Sequence, residues 1–505
     1  MQIRTKIQVC PAAVLALAIW LVDGHTPIEA QSTYGTIAGT VTDASGAVIS
    51  GASVEAADQL TGVTRKVSAD AGGHYEFLNL DPGVYTITVS APNFTTKKNK
   101  DVILKAREAP LVDFQLQVAG GSEQVSVVAG QEVVSENLTQ STSHSGEEIN
   151  SLALNFRATS NPSPIEVAIL SPGVQDDGSG NLTFSGQLPT ATSFSLDGIS
   201  TQLPRYGGPT RDLFPSVEGI SEFRVNTAAN NAEYSQATDV TAISRSGTND
   251  FHGGGFWYFQ RKNFDSTDPI SGIIPNGDAD TFGTSIGGPI LIPHVYNGKN
   301  RTFFYFDYEG VRLNTNSLIS TNTPPSQWRT GDFSQAGGTI LDPTTGQPFP
   351  GNVIPASRIN PISAKIIPLF FPTPTNSEAS LSSLNLVEPY PGTYTSDDFD
   401  GRLDHSFTPN QRVWGRVTHK EIPVLGTDAA LGAGGAGDAT YNPLMGPFTT
   451  GSDLWNFAGS YNWIIRPTLI NELRAGYSRA NFIFSYPQAA QGNAIISSLG
   501  ITGLP

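Results

Sequence analysis

The sequence Asp398-Phe-Asp-Gly-Arg-Leu-Asp-His-Ser-Phe407 alternates bulky apolar side chains with charged or polar ones. Successive side chains of an extended strand point to opposite faces, so Phe399, Leu403 and Phe407 share one face and the charges share the other. The stretch Leu454-Trp-Asn-Phe-Ala-Gly-Ser-Tyr-Asn-Trp-Ile-Ile465 has the same two-faced pattern. This pattern fits either the wall of a membrane barrel or one sheet of a soluble sandwich.

Connector lengths distinguish these two architectures. Strands are predicted in the C-terminal half at residues 251–261, 280–292, 301–313, 396–407, 411–421, 454–465 and 468–481. Their connectors alternate between long and short, with tight turns at Thr408-Pro-Asn410 and Arg466-Pro467. Long loops on one side and short turns on the other are typical of an outer-membrane barrel, whereas a sandwich has no reason to sort its loops by side.

The composition is that of a turn-rich β protein. The 505 residues include 52 Gly and 35 Pro, and only 15% are charged, which is low for a soluble chain. The formal net charge of -16 argues against a nucleic-acid partner, which would need a positive face for phosphates. The single Cys excludes a disulfide framework.

The N-terminus has the features of a secretory signal peptide, predicted over residues 1–30. Arg4 and Lys6 precede an apolar run at residues 9–22, and Ala30 suits the last position before cleavage. The run is too short to span a bilayer, which makes an anchoring helix the weaker alternative. Because no later apolar stretch is long enough either, a membrane-inserted mature chain must be a barrel.

Residues 31–118 predict a small β-sandwich, because short β-rich runs such as Val84-Tyr-Thr-Ile-Thr-Val-Ser90 alternate with turn residues. The motifs Gly39-Thr-Val-Thr-Asp43, Gly51-Ala-Ser-Val54 and Asp70-Ala-Gly-Gly73 resemble the carboxypeptidase regulatory-like domain. This resemblance implies a non-catalytic accessory domain, and it does not imply peptidase activity.

Residues 119–250 predict a mixed α/β domain. The capping patterns Ser145-Gly-Glu-Glu148 and Ser163-Pro-Ile-Glu166 predict helix starts, and short strands follow them. The domain resembles the plug of TonB-dependent outer-membrane receptors of the Oar-like branch. The residues that carry the likeness are Leu196-Asp-Gly-Ile199, Val217-Glu-Gly-Ile-Ser-Glu-Phe-Arg-Val225, Ala232-Glu-Tyr234 and Ser244-Arg-Ser-Gly-Thr-Asn-Asp-Phe-His-Gly253. Ser235-Gln-Ala-Thr-Asp239 replaces the family's usual glycine-rich stretch.

Residues 251–505 resemble the barrel of the same family, through motifs such as Phe282-Gly-Thr-Ser-Ile-Gly-Gly-Pro-Ile290 and Asp400-Gly-Arg-Leu-Asp404. Family barrels have about 22 strands and seven are found here, so we expect the sequence to be part of a longer receptor. The predicted fold class is therefore mainly β. It comprises a small β-sandwich, a mixed α/β plug and the first strands of an incomplete transmembrane β-barrel.

Four patterns match the sequence motif of a chemical site but lack the neighbouring elements or ligands that the site requires. His144-Ser-Gly-Glu147 with His252 has zinc-peptidase spacing, but the glutamate falls in a capping pattern and His252 opens a strand. Gly283-Thr-Ser-Ile-Gly287 lacks the helix that must follow a nucleophile elbow. Gly432-Ala-Gly-Gly-Ala-Gly437 lacks the strand and helix of a dinucleotide site, and Asp176-Asp-Gly-Ser-Gly180 lacks the remaining ligands of a calcium loop. We expect no catalytic residue, metal or cofactor, and no enzyme activity.

The resemblance implies an outer-membrane receptor or transporter whose sandwich lies in the periplasm. It implies an extracellular solute, an inner-membrane energy-transducing partner of the TonB type and contact with outer-membrane lipid. Long loops suit a large solute, such as one of carbohydrate type, although this is association rather than derivation. The alternative is an outer-membrane adhesion or structural protein that uses the barrel only as an anchor.

Two sets of residues are candidates for function. The first lies in a β-prone segment between glycines, which suits either addition as a strand to the energy-coupling partner or an ordinary edge strand. Its members are Glu123, Gln124, Val125, Ser126 and Val127. The second set, Arg205, Tyr206 and Arg211, is expected either in a ligand-facing plug loop or in the contact between plug and wall.

Overall fold

The computed structural model describes most of the chain after the predicted signal peptide, residues 1–30, which lies outside it. The described residues are 32–119, 126–129, 134–135, 140–151, 163–176, 182–187, 191–202, 213–228, 236, 238–264, 266–267, 278–321, 323–371, 373–375, 385–425, 449–466, 469–485 and 492–501. Within these ranges, no helix is both long and apolar enough to cross a membrane.

The first domain is a β-sandwich, hereafter the sandwich. Its strands are β1 (Gly35–Asp43), β2 (Ser53–Asp58), β3 (Thr64–Ser68), β4 (His74–Leu80), β5 (Gly83–Ser90), β6 (Lys97–Leu104), β7 (Pro110–Leu111) and β8 (Phe114–Leu116). One sheet has the order β3-β2-β5-β6, and the other is built on β7, β1 and β4, with β8 also paired to β1. The two sheets enclose one apolar core that includes Ile37, Phe77, Ile87, Leu104 and Phe114.

The chain that leaves the sandwich adds a short strand to each of its sheets. β9 (Ser126–Ala129) pairs in parallel with β6, with Lys97 opposite Ser126 and Lys100 opposite Ala129. β10 (Val134–Ser135) then pairs antiparallel with β7. The segment that connects sandwich and plug is therefore paired to the sandwich along part of its length.

The second domain, hereafter the plug, has a mixed sheet of order β11-β16-β17-β14-β15. Its strands are β11 (Gln140–Ser145), β12 (Val174–Asp176), β13 (Leu182–Phe184), β14 (Thr192–Leu196), β15 (Ile199–Ser200), β16 (Ile220–Ala228) and β17 (Thr238–Ser244), and its helices are α1 (Gly146–Ser151) and the 3-10 turns Pro164–Leu170 and Val217–Gly219. Both predicted caps form, because Ser145 Oγ accepts from Glu148 N–H at 3.2 Å and Ser163 Oγ from Ile165 N–H at 3.4 Å. The helix after Ser163 is of the 3-10 type.

The third part is one antiparallel seven-stranded sheet, hereafter the wall, in which each strand pairs with the next and, within the described ranges, the sheet is not closed. Its strands are β18 (His252–Gln260), β19 (Ala279–Pro289), β22 (Thr302–Thr321), β23 (Leu386–Thr408), β24 (Gln411–Leu425), β25 (Thr449–Arg466) and β26 (Leu469–Ser485). The connectors hold the hairpin β20 (Leu291–Ile292) and β21 (Tyr296–Asn297), the helices α2 (Pro361–Phe370) and α3 (Gly492–Leu499), and the 3-10 turns Lys262–Phe264, Trp328–Thr330, Pro350–Asn352 and Ala356–Arg358.

All seven predicted wall strands are confirmed, and several continue further toward the long loops. β22 and β23 pair as far as Thr321 opposite Leu386, about ten residues beyond the predicted ends. The alternation of apolar and polar residues weakens in this extension. β23 also contains Pro389 and Pro391 there, and proline is disfavoured in the interior of a sheet. Both prolines lie beyond Tyr394, which is the last β23 residue paired with β24. In this part of the described sheet β23 pairs only with β22, so the lack of an N–H group on each proline is tolerated.

Burial separates the two faces of the wall as the alternation predicted. On β23, Leu403 and Phe407 are 49% and 60% exposed, whereas Asp398 and Asp400 are 3% and 5% exposed. The plug covers the polar inner face. The outer face is bulky and apolar, with exposed residues that include Phe306, Phe399, Phe457, Trp463, Leu473 and Tyr477.

Outward-facing charges mark one boundary of this apolar face. They are Asp280, Arg312, Asp397, Glu421 and Asp453, and they lie about ten residues from the short turns on their strands. About ten residues of a tilted strand rise roughly 25 Å, which is the height of the apolar band of a membrane barrel. The strands beyond this row project past the apolar band.

Leu403→Arg tests whether the outer face meets lipid. Leu403 lies near the middle of the apolar band, so the substitution should lower the free energy of unfolding of the full-length protein in lipid vesicles by about 2–4 kcal/mol. Leu341→Arg is the matched control, because Leu341 is similarly exposed, at 53%, but lies in a long loop. Equal losses for the two variants in denaturant titrations would contradict a lipid-facing wall.

Candidate functional site at the contact of plug and wall

The hairpin turn between β14 and β15 brings Asp197 to the wall. Asp197 and Gly198 both have positive φ, at 52° and 77°. Two successive positive φ values are the requirement of a type I′ hairpin turn, and Asp-Gly is among its preferred sequences. The local sequence therefore dictates the turn, and the turn is buried against wall residues that are distant in the chain.

The Asp197 carboxylate is 1% exposed and lies between two wall arginines. Arg416 Nε donates to it at 2.7 Å, and an Arg402 terminal nitrogen lies 3.5 Å from it. Ser244 of the plug donates from its N–H at 2.9 Å. The Asp197 carbonyl accepts from Arg474 at 2.8 Å. Wall strands β23, β24 and β26 therefore converge on one turn of the plug.

The pKa of Asp197 reflects this charge cluster. Burial by itself would raise the pKa, but the guanidinium groups of Arg416 and Arg402 and the hydrogen bonds from Ser244 outweigh it and hold the pKa below its usual value. A carboxyl with a lowered folded-state pKa stabilises the fold above its unfolded pKa of about 4, and the stabilisation is lost as the pH falls through the folded value. The contact is thus fully charged at neutral pH.

A second contact joins the plug segment around Ser216 to acidic wall residues. Ser216 Oγ donates to Asp307 at 2.6 Å, and its N–H donates to Asp400 at 3.3 Å. Tyr305 Oη donates to the Glu218 carbonyl at 2.9 Å. A Cβ on Gly219 would lie 2.8 Å from an Asp307 carboxylate oxygen, so this approach requires glycine.

The interface is polar on both sides and closely packed. Ser246 of the plug donates to Asp404 at 2.7 Å, and Arg402 donates to Ser244 Oγ at 2.8 Å and pairs with Asp404 at 2.9 Å. A cavity of about 10 Å³ lies beside these groups, which leaves space for about one water molecule. Charged side chains on the inner face of the wall include Asp307, Glu309, Asp398, Asp400, Asp404, Glu472, Arg402, Arg416, Lys420 and Arg474.

The sandwich is also joined to the plug by buried polar contacts. Arg107, which follows β6, pairs with Asp239 at 2.5 Å, and their side chains are 8% and 0% exposed. The N–H of Ala106 donates to Glu222 at 3.0 Å, and its carbonyl accepts from Arg224. Burial raises the pKa of the Glu222 carboxyl, against hydrogen bonds from Ser143 and Ala106 that lower it. Asp239 therefore supplies a buried partner for the sandwich.

Contacts between sandwich and wall lie at the short-turn end of the wall. Asp81 forms an ion pair with Arg412, which directly follows the turn at residues 408–410. The Arg412 guanidinium lies 5.1 Å from the centre of the Tyr34 ring. Asn249 N–H donates to the Leu60 carbonyl at 2.9 Å, and Asn249 Oδ1 accepts from Asn300 N–H at 2.7 Å. The sandwich and the long loops are therefore at opposite ends of the wall.

The predicted functional residues are only partly within the described chain. Glu123, Gln124 and Val125 lie outside it, as do Arg205, Tyr206 and Arg211. Ser126 and Val127 begin β9, where they pair with β6 of the sandwich. The energy-coupling role and the ligand-binding role both stay predictions. The pairing of β9 with β6 has the form of an ordinary edge strand, which is the alternative to the coupling role.

The enzyme-like patterns that lie within the described chain occupy ordinary structural positions. His144 Nδ1 lies 3.0 Å from Glu148 rather than contacting Glu147, and Ser285 lies in the interior of strand β19. His252 begins β18 and its Nδ1 lies 3.2 Å from Thr248 Oγ1. No group of three or more His, Cys, Asp or Glu suited to a metal ion occurs in the described ranges. Residues 432–437 and 177–180 lie outside those ranges.

Sequence reasoning missed Asp197, Arg402 and Arg416 as site residues. The signals were present, because Leu196-Asp-Gly-Ile199 is a turn motif and Arg402 lies on the polar face of a two-faced strand. Nothing in the sequence pairs residue 197 with residue 416, since that contact depends on how the plug is seated. The Arg107 and Asp239 pair was missed for the same reason.

Asp197→Asn removes the charge at the plug and wall contact and retains the turn, because Asn tolerates positive φ. It leaves Arg416 and Arg402 without their carboxylate, and breaking a buried ion pair costs about 3–5 kcal/mol. We expect earlier thermal unfolding of the full-length protein and faster proteolysis of the plug. The control is Asp70→Asn, an exposed turn residue that accepts from Gly72 N–H at 2.8 Å, for which little change is expected. Identical protease sensitivity of both variants would contradict a role for Asp197 in seating the plug.

Comparison with known proteins identifies the first and the last of the three parts. The model of the outer membrane beta barrel domain matches residues 243–505, and that of the carboxypeptidase regulatory-like domain matches residues 36–117. The TonB-dependent transporter Oar of Myxococcus xanthus is 27% identical over 282 residues, which are 52% of this chain and 26% of that protein. The chain thus spans about a quarter of the length of this curated relative. That relative is a TonB-dependent transporter rather than an enzyme.

Two solved outer-membrane proteins are similar in structure. The outer membrane transporter YddB of Escherichia coli has a TM-score of 0.42 and 8% identity, over 69% of this chain and 40% of that one. The siderophore receptor PirA of Acinetobacter baumannii has a TM-score of 0.38 and 15% identity, over 68% of this chain and 40% of that one. Because the barrel model matches more than half of the chain, the protein belongs to the outer membrane beta barrel domain family and lies in the outer membrane with its sandwich in the periplasm.

Proposed function

We propose that the protein acts as a TonB-dependent receptor that moves a solute past a plug held inside the wall. The observation that supports this most directly is the polar contact at Asp197, where three wall arginines meet one buried turn of the plug. A passive membrane anchor has no need of a plug that is seated through charges. The adhesion alternative therefore explains less of the structure.

Energy coupling is proposed to act through the segment at residues 123–127. The four residues of β9 pair with strand β6 of the sandwich. β9 is therefore an edge strand, and the sheet of a partner could replace β6 as its neighbour by strand exchange. A pull on this segment would first separate β9 from the sandwich. It would next separate β10 from β7, and the force would then reach the plug through β11, which pairs with β16.

The solute is proposed to be large, and of carbohydrate type. The support is the size of the long loops, since the connector between β22 and β23 runs from residue 322 to 385 and contains helix α2. In that connector, Trp328 and Phe333 have ring centres 5.1 Å apart, and Asp342 pairs with Arg358 at 2.6 Å. These loops lie at the end of the wall opposite the periplasmic sandwich, and so face the exterior.

Proline substitutions test the coupling segment. Val125→Pro with Val127→Pro removes two backbone N–H groups that strand addition needs, so energised uptake should be lost while outer-membrane abundance is unchanged. The readout is accumulation of fluorescent oligosaccharides by cells, with and without an uncoupler of the proton gradient. Glu132→Pro, a few residues further along the chain, is the matched control.

A second readout separates the coupling segment from the choice of solute. Residues 31–505 contain no Cys, so Val127→Cys provides a single added site within them for disulfide cross-linking to a cysteine-scanned periplasmic domain of the energy-transducing partner. We expect a cross-link that depends on the proton gradient. Unchanged uptake in the proline variant would remove the coupling assignment, and uptake insensitive to the uncoupler would favour the adhesion alternative.

A further inference from the structure

A cavity lies on the outer face of the wall, near the ends of β18, β19 and β22 toward the long loops. Its volume is about 290 Å³, and its lining consists of Trp257, Arg261, Asp280, Phe282 and Arg312. Alternation places Asp280 and Arg312 outward, because their neighbours Ala279, Thr281, Val311 and Leu313 are buried. The cavity therefore opens away from the plug.

The height of the cavity coincides with the outer boundary of the apolar band. Arg312 lies ten residues from Thr302, at the short-turn end of β22. About ten tilted residues correspond to roughly 25 Å, the height of the apolar band. Because the sandwich is at the periplasmic end, this boundary is that of the outer leaflet, where lipid head groups begin.

Both arginines are held in the same way. Arg312 donates from one terminal nitrogen to the carbonyls of Val311 and Ser396, at 2.9 and 2.7 Å, and from the other to Asp397 at 2.7 Å. Arg261 donates in the same pattern to the carbonyls of Gln260 and Ala279 and to Asp280. Fixed guanidinium groups lose little side-chain entropy when they bind an anion, and their fork matches phosphate geometry.

The lining combines guanidinium donors with aromatic surface. Each arginine is paired with one carboxylate, Arg261 with Asp280 and Arg312 with Asp397, both at 2.7 Å, so these four groups have no net charge, in a chain whose formal net charge is -16. The Arg312 guanidinium lies 5.5 Å from the Phe282 ring centre, and Trp257 is 64% exposed. Hydrogen bonds to carbonyls and a carboxylate occupy three of the five N–H groups of Arg261, which leaves two donors for an outside acceptor. Arg312 makes the same three kinds of contact and also interacts with the Tyr308 hydroxyl.

We propose that this cavity binds the phosphate group of an outer-leaflet lipid, with Arg261 and Arg312 as the phosphate ligands and Trp257 and Phe282 in contact with the adjoining apolar part. The commitment to a lipid rather than a free anion follows from the position of the site, on the lipid-facing side of the wall at head-group height. The inference requires only the barrel in its membrane and does not depend on transport.

The test is lipid binding to the purified full-length protein in detergent, measured by native mass spectrometry with diphosphoryl lipid A. Arg261→Gln with Arg312→Gln should weaken binding at least tenfold, which is about 1.4 kcal/mol or more. Arg479→Gln is the matched control, because Arg479 is also exposed on the outer face, opposite Trp455, but does not line the cavity. Heat-modifiable migration in gels shows that each variant is folded, and Arg261→Lys with Arg312→Lys replaces the Gln variant if that fails to fold.

The lipid source is distinguished by two further probes. Lipid A without phosphate should bind at least tenfold more weakly than the diphosphoryl form, and millimolar inorganic phosphate should not displace it. Undiminished binding to the double Gln variant, or equal binding of the phosphate-free lipid, would overturn the proposal. Displacement by inorganic phosphate alone would also overturn it, because it would identify a free-anion site.

Discussion

The buried carboxylate of Asp197 determines where the plug lies in the wall. Removing a charged group from water costs several kcal/mol, so this carboxylate is stable only where Arg416, Arg402 and Ser244 meet it together. The two arginines belong to wall strands β23 and β24, whereas Ser244 belongs to the plug. The polar groups around Asp197 can be hydrated when plug and wall separate. The interface therefore favours one position of the plug but opposes removal of the plug less strongly.

The sandwich acts with the plug as one structural unit. The Arg107 and Asp239 pair is buried, and Ala106 makes backbone hydrogen bonds to Glu222 and Arg224 on β16 of the plug. The contacts of the sandwich with the wall include the pair of Asp81 and Arg412, the hydrogen bonds around Asn249 and the buried Tyr34 ring beside Arg412 and Arg474. The ion pair to the plug is buried and the ion pair to the wall is partly exposed, so breaking the pair to the plug is expected to cost more.

Local patterns predicted the fold well because each depends on neighbouring residues. The two-faced strands, the caps at Ser145 and Ser163 and the alternation at Leu403 were all visible in short stretches. The extension of β23 through Pro389 and Pro391 was not visible in the sequence, because it depends on which neighbouring strands pair with β23. The candidate site was the least predictable part, because residue 197 meets residue 416 only through tertiary packing. Arg205, Tyr206 and Arg211 are predicted from polar and aromatic side chains near glycines, and they lie outside the described residues.

The position of the Asp197 turn against the wall is most directly measured by disulfide cross-linking. A Cβ on Gly476 of β26 would lie 2.5 Å from Cγ2 of Ile199, the residue that follows Gly198 in the plug. In isolated outer membranes, Ile199→Cys with Gly476→Cys should cross-link on mild oxidation. Ile199→Cys with Tyr477→Cys should not, because Tyr477 is on the outer face and 60% exposed. Absence of the first cross-link, or equal yields from both pairs, would contradict a plug seated through this turn.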